Sequence, residues 1–123
     1  MSLNEITASR QEFALALVGA GLDVLSFVPE RIVPPVVIIN AGGTYLEPET
    51  LGREYNLNLE ITAVASQAVN EQSTEILDAL IEQTINALPG YARLINVQKP
   101  YILQANQAEY LAANLGVQLS ITL

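Results

Sequence analysis

Histidine, cysteine and tryptophan are all absent from these 123 residues. Without imidazole or thiol, the chain has no disulfide, no thiol nucleophile, no histidine base and almost no route to a zinc site. Without tryptophan and with only two phenylalanines, it lacks the aromatic platform on which sugars stack. Positive charge is also scarce. Five cations, Arg10, Arg31, Arg53, Arg93 and Lys99, stand against 13 acids, for a net charge of −8. The five are scattered singly, and phosphate binding needs clustered cations, so tight nucleic-acid binding is excluded as an expectation. No cofactor, metal or catalytic group is expected.

Long apolar runs are missing too. The longest charge-free stretch, 32–46, is 15 residues and holds Pro34, Pro35, Gly42 and Gly43. A spanning helix needs about 20 apolar residues without such breakers, so no membrane partner is expected. The first residues show no basic region followed by an apolar one, and no secretory signal is read there. What is abundant is apolar side chain: 50% of residues are hydrophobic and only 15% charged. That balance is lean in charge for a solitary domain of this size and predicts surface reserved for protein partners.

The periodicities predict an order of α-β-β-β-α-β-β. A first helix ends near Ala20 and starts at Asn4 or Ser9, with capping-box spacing at Ser9 to Glu12 and an earlier start at Ser2 to Glu5. Ile6, Phe13, Leu17 and Ala20 form its stripe, with Ala14 and Val18 beside it, and Gly19 and Gly21 supply the stop. Residues 22–28 read as a short strand before Pro29. Val36-Val37-Ile38-Ile39 has no alternation and reads as a strand covered on both faces. Residues 40–52, rich in glycine, proline and threonine, read as a long loop, poorly ordered in an isolated subunit.

Residues 53–66 alternate as a strand, with only Val64 out of phase. A second helix opens at Asn70 and ends at Pro89-Gly90, with Ile76, Leu77, Leu80, Ile81, Thr84 and Leu88 facing inward. Residues 92–104 give Ile95, Val97, Tyr101 and Leu103 in one phase, broken at Pro100. A tight turn at Ala105-Asn106-Gln107 leads into 109–123, which alternates almost without fault. The fold class expected is α+β: one domain over 1–123, an antiparallel sheet of about four to five strands, and two helices on one face.

Asn40-Ala41-Gly42-Gly43-Thr44 is the one glycine-rich stretch. No helix N-terminus or lysine follows it, so it is not read as a phosphate cradle. Glu47 and Glu49 lie in the same segment, with nothing apolar and aromatic around them to raise a carboxyl pKa for catalysis. Gly42, Gly43, Thr44, Tyr45, Leu46, Glu47 and Glu49 are the candidate partner-binding residues. Glu71, Glu75, Asp78 and Glu82 are spaced 4, 3 and 4 apart and form an acidic helix surface. The five tyrosines fit core-edge or interface positions better than catalytic ones.

Residues 17–39 carry a pattern through Ala20-Gly21-Leu22, Phe27-Val28-Pro29 and Val33-Pro34-Pro35-Val36-Val37. With the long strand, the Asn70-Glu71 helix start and two closing strands, it resembles tail terminator (tail completion) proteins of long-tailed bacteriophages. The resemblance implies a structural protein of the virion tail, assembled in the host cytoplasm from a phage or prophage gene. It implies a homo-oligomeric ring, typically a hexamer, that caps the tail tube, stops its growth and offers a surface to the head–tail connector protein. DNA would pass through without specific binding. Two other readings stay open: another neck or connector protein, and a cytosolic dimeric module with a small-molecule pocket.

Overall fold

The computed structural model describes residues 4–25, 32–49, 53–67, 70–105 and 107–123. Along the chain run α1 (Glu5–Gly19), β1 (Val24–Leu25), β2 (Val36–Pro48), β3 (Glu54–Ser66), α2 (Glu71–Ala87), β4 (Ala92–Val97), β5 (Tyr101–Ala105) and β6 (Ala108–Thr122). The architecture is α+β, with two helices and one mostly antiparallel six-stranded sheet. Its order is β1-β2-β3-β6-β4, with β5 also pairing β6.

The cap of α1 is Asn4, whose Oδ1 accepts a hydrogen bond from the Thr7 amide at 2.8 Å. Ser9 therefore lies inside the helix, and the alternative start at Ser2 lies outside the described residues. Gly21 ends the helix at φ +93°, a conformation that glycine adopts without a Cβ penalty. The Leu22 amide reaches back to the Leu17 carbonyl and the Gly21 amide to that of Val18, the paired bonds of a Schellman motif. Gly19 is simply the last helical residue.

Asn70 caps α2, accepting from the Ser73 amide at 2.9 Å and the Ser73 hydroxyl at 3.1 Å. Asn70→Ala should cost about 1 kcal/mol, while Asn70→Ser should keep most of it, read by urea unfolding. Ser73, Leu77, Leu80 and Thr84 form the buried side of α2. The Thr84 hydroxyl is satisfied by the Leu80 carbonyl at 2.7 Å. Ile76, expected inside, is 37% exposed instead, at the margin of the stripe formed by Ser73, Leu77, Leu80 and Thr84.

The sheet sorts its side chains by parity, as the pleat requires. Leu57, Leu59, Ile61 and Ala63 of β3 share one core with Leu115, Val117 and Leu119 of β6, and with Phe13, Leu17, Leu77 and Leu80 of the helices. This is the first face. On the second face Val36, Ile38, Val64, Tyr110 and Ala112 form a smaller core, against which Tyr101 and Leu103 pack. Val64, out of phase in the sequence, is thus buried on the opposite side. Both faces of 36–39 are covered, as the unbroken β-branched run predicts.

Three expectations need correction. First, 40–52 is not a long loop: β2 continues to Pro48, with Leu46, Glu47 and Pro48 opposite Leu57, Asn56 and Tyr55. The glycines are taken up in a bulge between Ala41 and Leu46, where Asn58 Nδ2 donates to the Thr44 carbonyl at 2.8 Å. Residues 50–52 lie outside the described residues.

Second, the sheet is not wholly antiparallel, since β1 pairs β2 in parallel, Val24 with Val37 and Leu25 with Ile38. Of the connection to β2, residues 32–35 are described. That stretch contains the cis Pro34-Pro35 bond. The rest of the predicted strand 22–28, beyond Leu25, lies outside the described residues, as do Phe27, Val28, Pro29 and Arg31.

Third, there are six strands rather than four to five. Pro100 divides 92–104 into β4 and β5, which lie end to end along the same side of β6. Asn106 of the expected turn lies outside the described residues. Its neighbour Gln107 has φ +65°.

Candidate protein-assembly interface

The segment singled out around the glycines is built into the fold. Tyr45 and Leu46 pack toward the first-face core. The Tyr45 hydroxyl accepts from Arg10 Nη2 at 2.6 Å, and the Arg10 guanidinium lies 5.8 Å from the Tyr45 ring centroid. These contacts tie α1 to β2. Glu47 accepts from Asn58 Nδ2 at 2.5 Å, and Asn58 Oδ1 accepts from Gln118 Nε2 at 3.1 Å. Glu49 closes against β3 through its amide and the Glu54 carbonyl at 2.9 Å. A hydrogen bond with the Glu54 side chain, then lost hydration and the Glu54 charge, hold the Glu49 carboxyl above its usual pKa.

Gly42 backs directly onto β3. A Cβ there would lie 3.0 Å from the Asn58 carbonyl oxygen, whereas one at Gly43 would meet nothing within 4 Å. Gly42→Ala should therefore cost about 1–2 kcal/mol by pushing on backbone, and Gly43→Ala should stay within roughly 0.5 kcal/mol of wild type. Paired urea melts check the contrast.

The second face is a polar surface over much of its area. Asn40 Nδ2 donates to Thr62 Oγ1 at 3.1 Å, and Thr62 Oγ1 donates to Asn114 Oδ1 at 2.9 Å. Tyr101 donates its hydroxyl to the same Asn114 oxygen at 3.1 Å. A shallow depression of about 330 Å³ lies beside this chain, lined by Asn58, Glu60, Asn96 and Gln118 among others and by no aromatic residue. A small-molecule site is usually lined by apolar and aromatic side chains around a few polar groups. Here polar side chains and glycines make up most of the lining, and there is no aromatic wall.

The acidic residues Glu71, Glu75, Asp78 and Glu82 are all exposed along α2. Among the described residues, no group of three or more acids sits close enough to hold a metal ion. No helix among them is long and apolar enough to cross a membrane.

Two apolar surfaces stand out that the sequence pattern did not flag. On α1, Leu15 is 69% and Val18, which reads as lying beside the inward stripe, 49% exposed, and Ala20 of the stripe itself is exposed and does not face inward. On the β4–β5 side, Val97 (40%) and Ile102 (42%) are exposed opposite Leu115 and Leu111 of the first face, and Ile95 (50%) is exposed beside the second-face depression. Alternation placed Ile95 and Val97 inside with Tyr101. A register shift between Leu94 and Asn96 puts Ile95 out of step, and nothing covers the outer side of β4 among the described residues. One signal was available: no acid occurs between Glu82 and Glu109.

Comparison with protein-family models finds no match for this sequence, and neither does comparison with curated proteins.

Proposed function

We propose that this chain is a structural tail terminator, a subunit of a ring that caps a bacteriophage tail tube and ends its polymerisation. The observation that carries the reading is the pair of separate exposed apolar surfaces, Leu15 and Val18 on α1 and Ile95, Val97 and Ile102 on the β4–β5 side. A ring of identical subunits joins two different patches of the same chain, and a capping ring needs further surface for the tube and the connector. A two-fold dimer needs one self-complementary patch, whereas a ring needs two different ones.

In this reading both helices cover the first face, supported by the core that Phe13, Leu17, Leu77 and Leu80 share with β3 and β6. The second face then remains free to line a lumen. Its strand-borne charges are Glu47, Glu54 and Glu60 against Arg93, so phosphates meet amides and net negative charge there. The four acids of α2 form a second acidic surface, turned toward tube or solvent.

Purified protein added to polymerising tail-tube protein should bind tube ends and shorten the tubes, measured by electron microscopy. Tubes that grow to the same length with and without it would remove the terminator role. A stable dimer indifferent to tube protein would favour the small-molecule-binding alternative.

A further inference from the structure

Charge is divided unevenly across this sheet. Arg93 lies on β4 and Lys99 just after it, in the acid-free stretch between Glu82 and Glu109, while the other three cations share the rest of the chain with all 13 acids. At the opposite side of the sheet the exposed half of β2 carries Glu47, with Glu49 just beyond it. β1 pairs only with Val37 and Ile38, so among the described residues 41–48 has no strand on its outer side. The sheet thus has a basic, apolar edge and an acidic edge, both with unpaired backbone.

The registers place parts of these two edges level, on either side of the β2 bulge between Ala41 and Leu46. Leu94 pairs Val117, Val117 pairs Leu59 and Leu59 pairs Ala41; likewise Ala92 connects through Leu119 and Leu57 to Leu46. Arg93 lies opposite Gln118 and Glu47 opposite Asn56, so both project from the second face, one pleat repeat apart. Strand directions alternate from β2 through β3 and β6 to β4, so β4 runs opposite to β2. A second copy set beside the first without axial shift brings its β2 antiparallel to β4.

We propose that β4 docks the acidic 41–48 edge of a second copy of this chain, continuing the antiparallel sheet, with Arg93 facing the neighbour's Glu47. Two-fold pairing of β4 with β4 would set Arg93 and Lys99 against themselves, and β2 with β2 would oppose like acids. The heterologous join alone matches opposite charges, and such a join closes into a ring or runs on as a filament. The shift at Ile95 and the Lys99-Pro100 break confine the added strand to Ala92–Val97. This inference rests on the ring reading and names its subunit contact.

The test is a charge swap read by sedimentation velocity over a concentration series. Arg93→Glu and Glu47→Arg should each raise the concentration for half-assembly by about tenfold or more, since each sets like charges together. The protein carrying both changes should assemble near the wild-type concentration. Singles that assemble like wild type, or a combined variant no better than either single, overturn the contact while leaving the ring reading standing. Wild type that never self-associates, even with tube protein present, overturns both. Should a single variant fail to fold, hydrogen exchange on wild type decides. Amides of β4 should exchange more slowly in the assembled than in the dilute protein, and equal rates overturn the proposal.

Discussion

Phe13→Ala is expected to destabilise the chain by about 3–5 kcal/mol, the usual cost of removing a fully enclosed aromatic ring. The ring has no solvent exposure and sits in the core shared by α1, α2 and the first face of the sheet. Its loss deletes the transfer free energy of the removed carbons and leaves a cavity that rigid neighbours cannot close. Domains of this size have a total stability of roughly 5–15 kcal/mol, so the variant should be close to unfolded at moderate temperature. Phe13→Leu refills most of the volume and should cost under about 1.5 kcal/mol. Urea unfolding followed by circular dichroism measures both. Equal, small losses would show that α1 is not anchored through this ring.

Asn114→Ala should cost about 2–3 kcal/mol for a different reason. Asn114 Oδ1 accepts from both Thr62 and Tyr101, and Thr62 is buried. Removing the acceptor leaves two hydroxyl donors unpaired, one of them away from water, which is costlier than never having had the pair. Replacing Thr62 with valine in the same chain removes one stranded hydroxyl along with its partner. Thr62→Val combined with Asn114→Ala should therefore lose less than the sum of the two single changes. A double-mutant cycle in urea reads this coupling, and strict additivity would mean the chain of hydrogen bonds across β2, β3, β6 and β5 contributes nothing as a unit.

The elements were legible in the sequence wherever one signal dominated. The strands β3 and β6 alternate over their length, so parity alone identified which residues are buried on the first face. Asn70, three residues before Ser73, marked the start of α2 because an amide oxygen at that spacing meets a free helical N–H. The break at Pro100 is visible in the sequence, since proline cannot donate to a ladder, but 92–104 reads as one interrupted strand where the fold has β4 and β5.

The stretch 40–48 was misread because glycines and threonine there are held by a partner remote in sequence. Asn58, on the facing strand, supplies the donor that stabilises the bulge. Local composition contains no trace of that. The parallel β1 escaped for the same reason: a two-residue strand has no period to detect.

The assembly surfaces were legible only in part. Low charge content announced that apolar surface would remain exposed, but not where. Leu15 and Val18 lie three residues apart in the apolar last turns of α1, where Phe13 and Leu17 of the stripe are buried but apolar residues also continue onto the outer side. Ile95 was assigned inward by alternation, and the register shift next to it reverses the assignment. The charge asymmetry of the β4–β5 segment could have been read directly, as a stretch holding Arg93 and Lys99 and no acid.

The most direct measurement is the mass of the wild-type particle, by light scattering coupled to size exclusion, alone and with tail-tube protein. The ring account predicts a single closed oligomer, a hexamer, present in the free protein or formed once tube protein is supplied. A chain that remains monomeric or dimeric beside assembled tubes would contradict it.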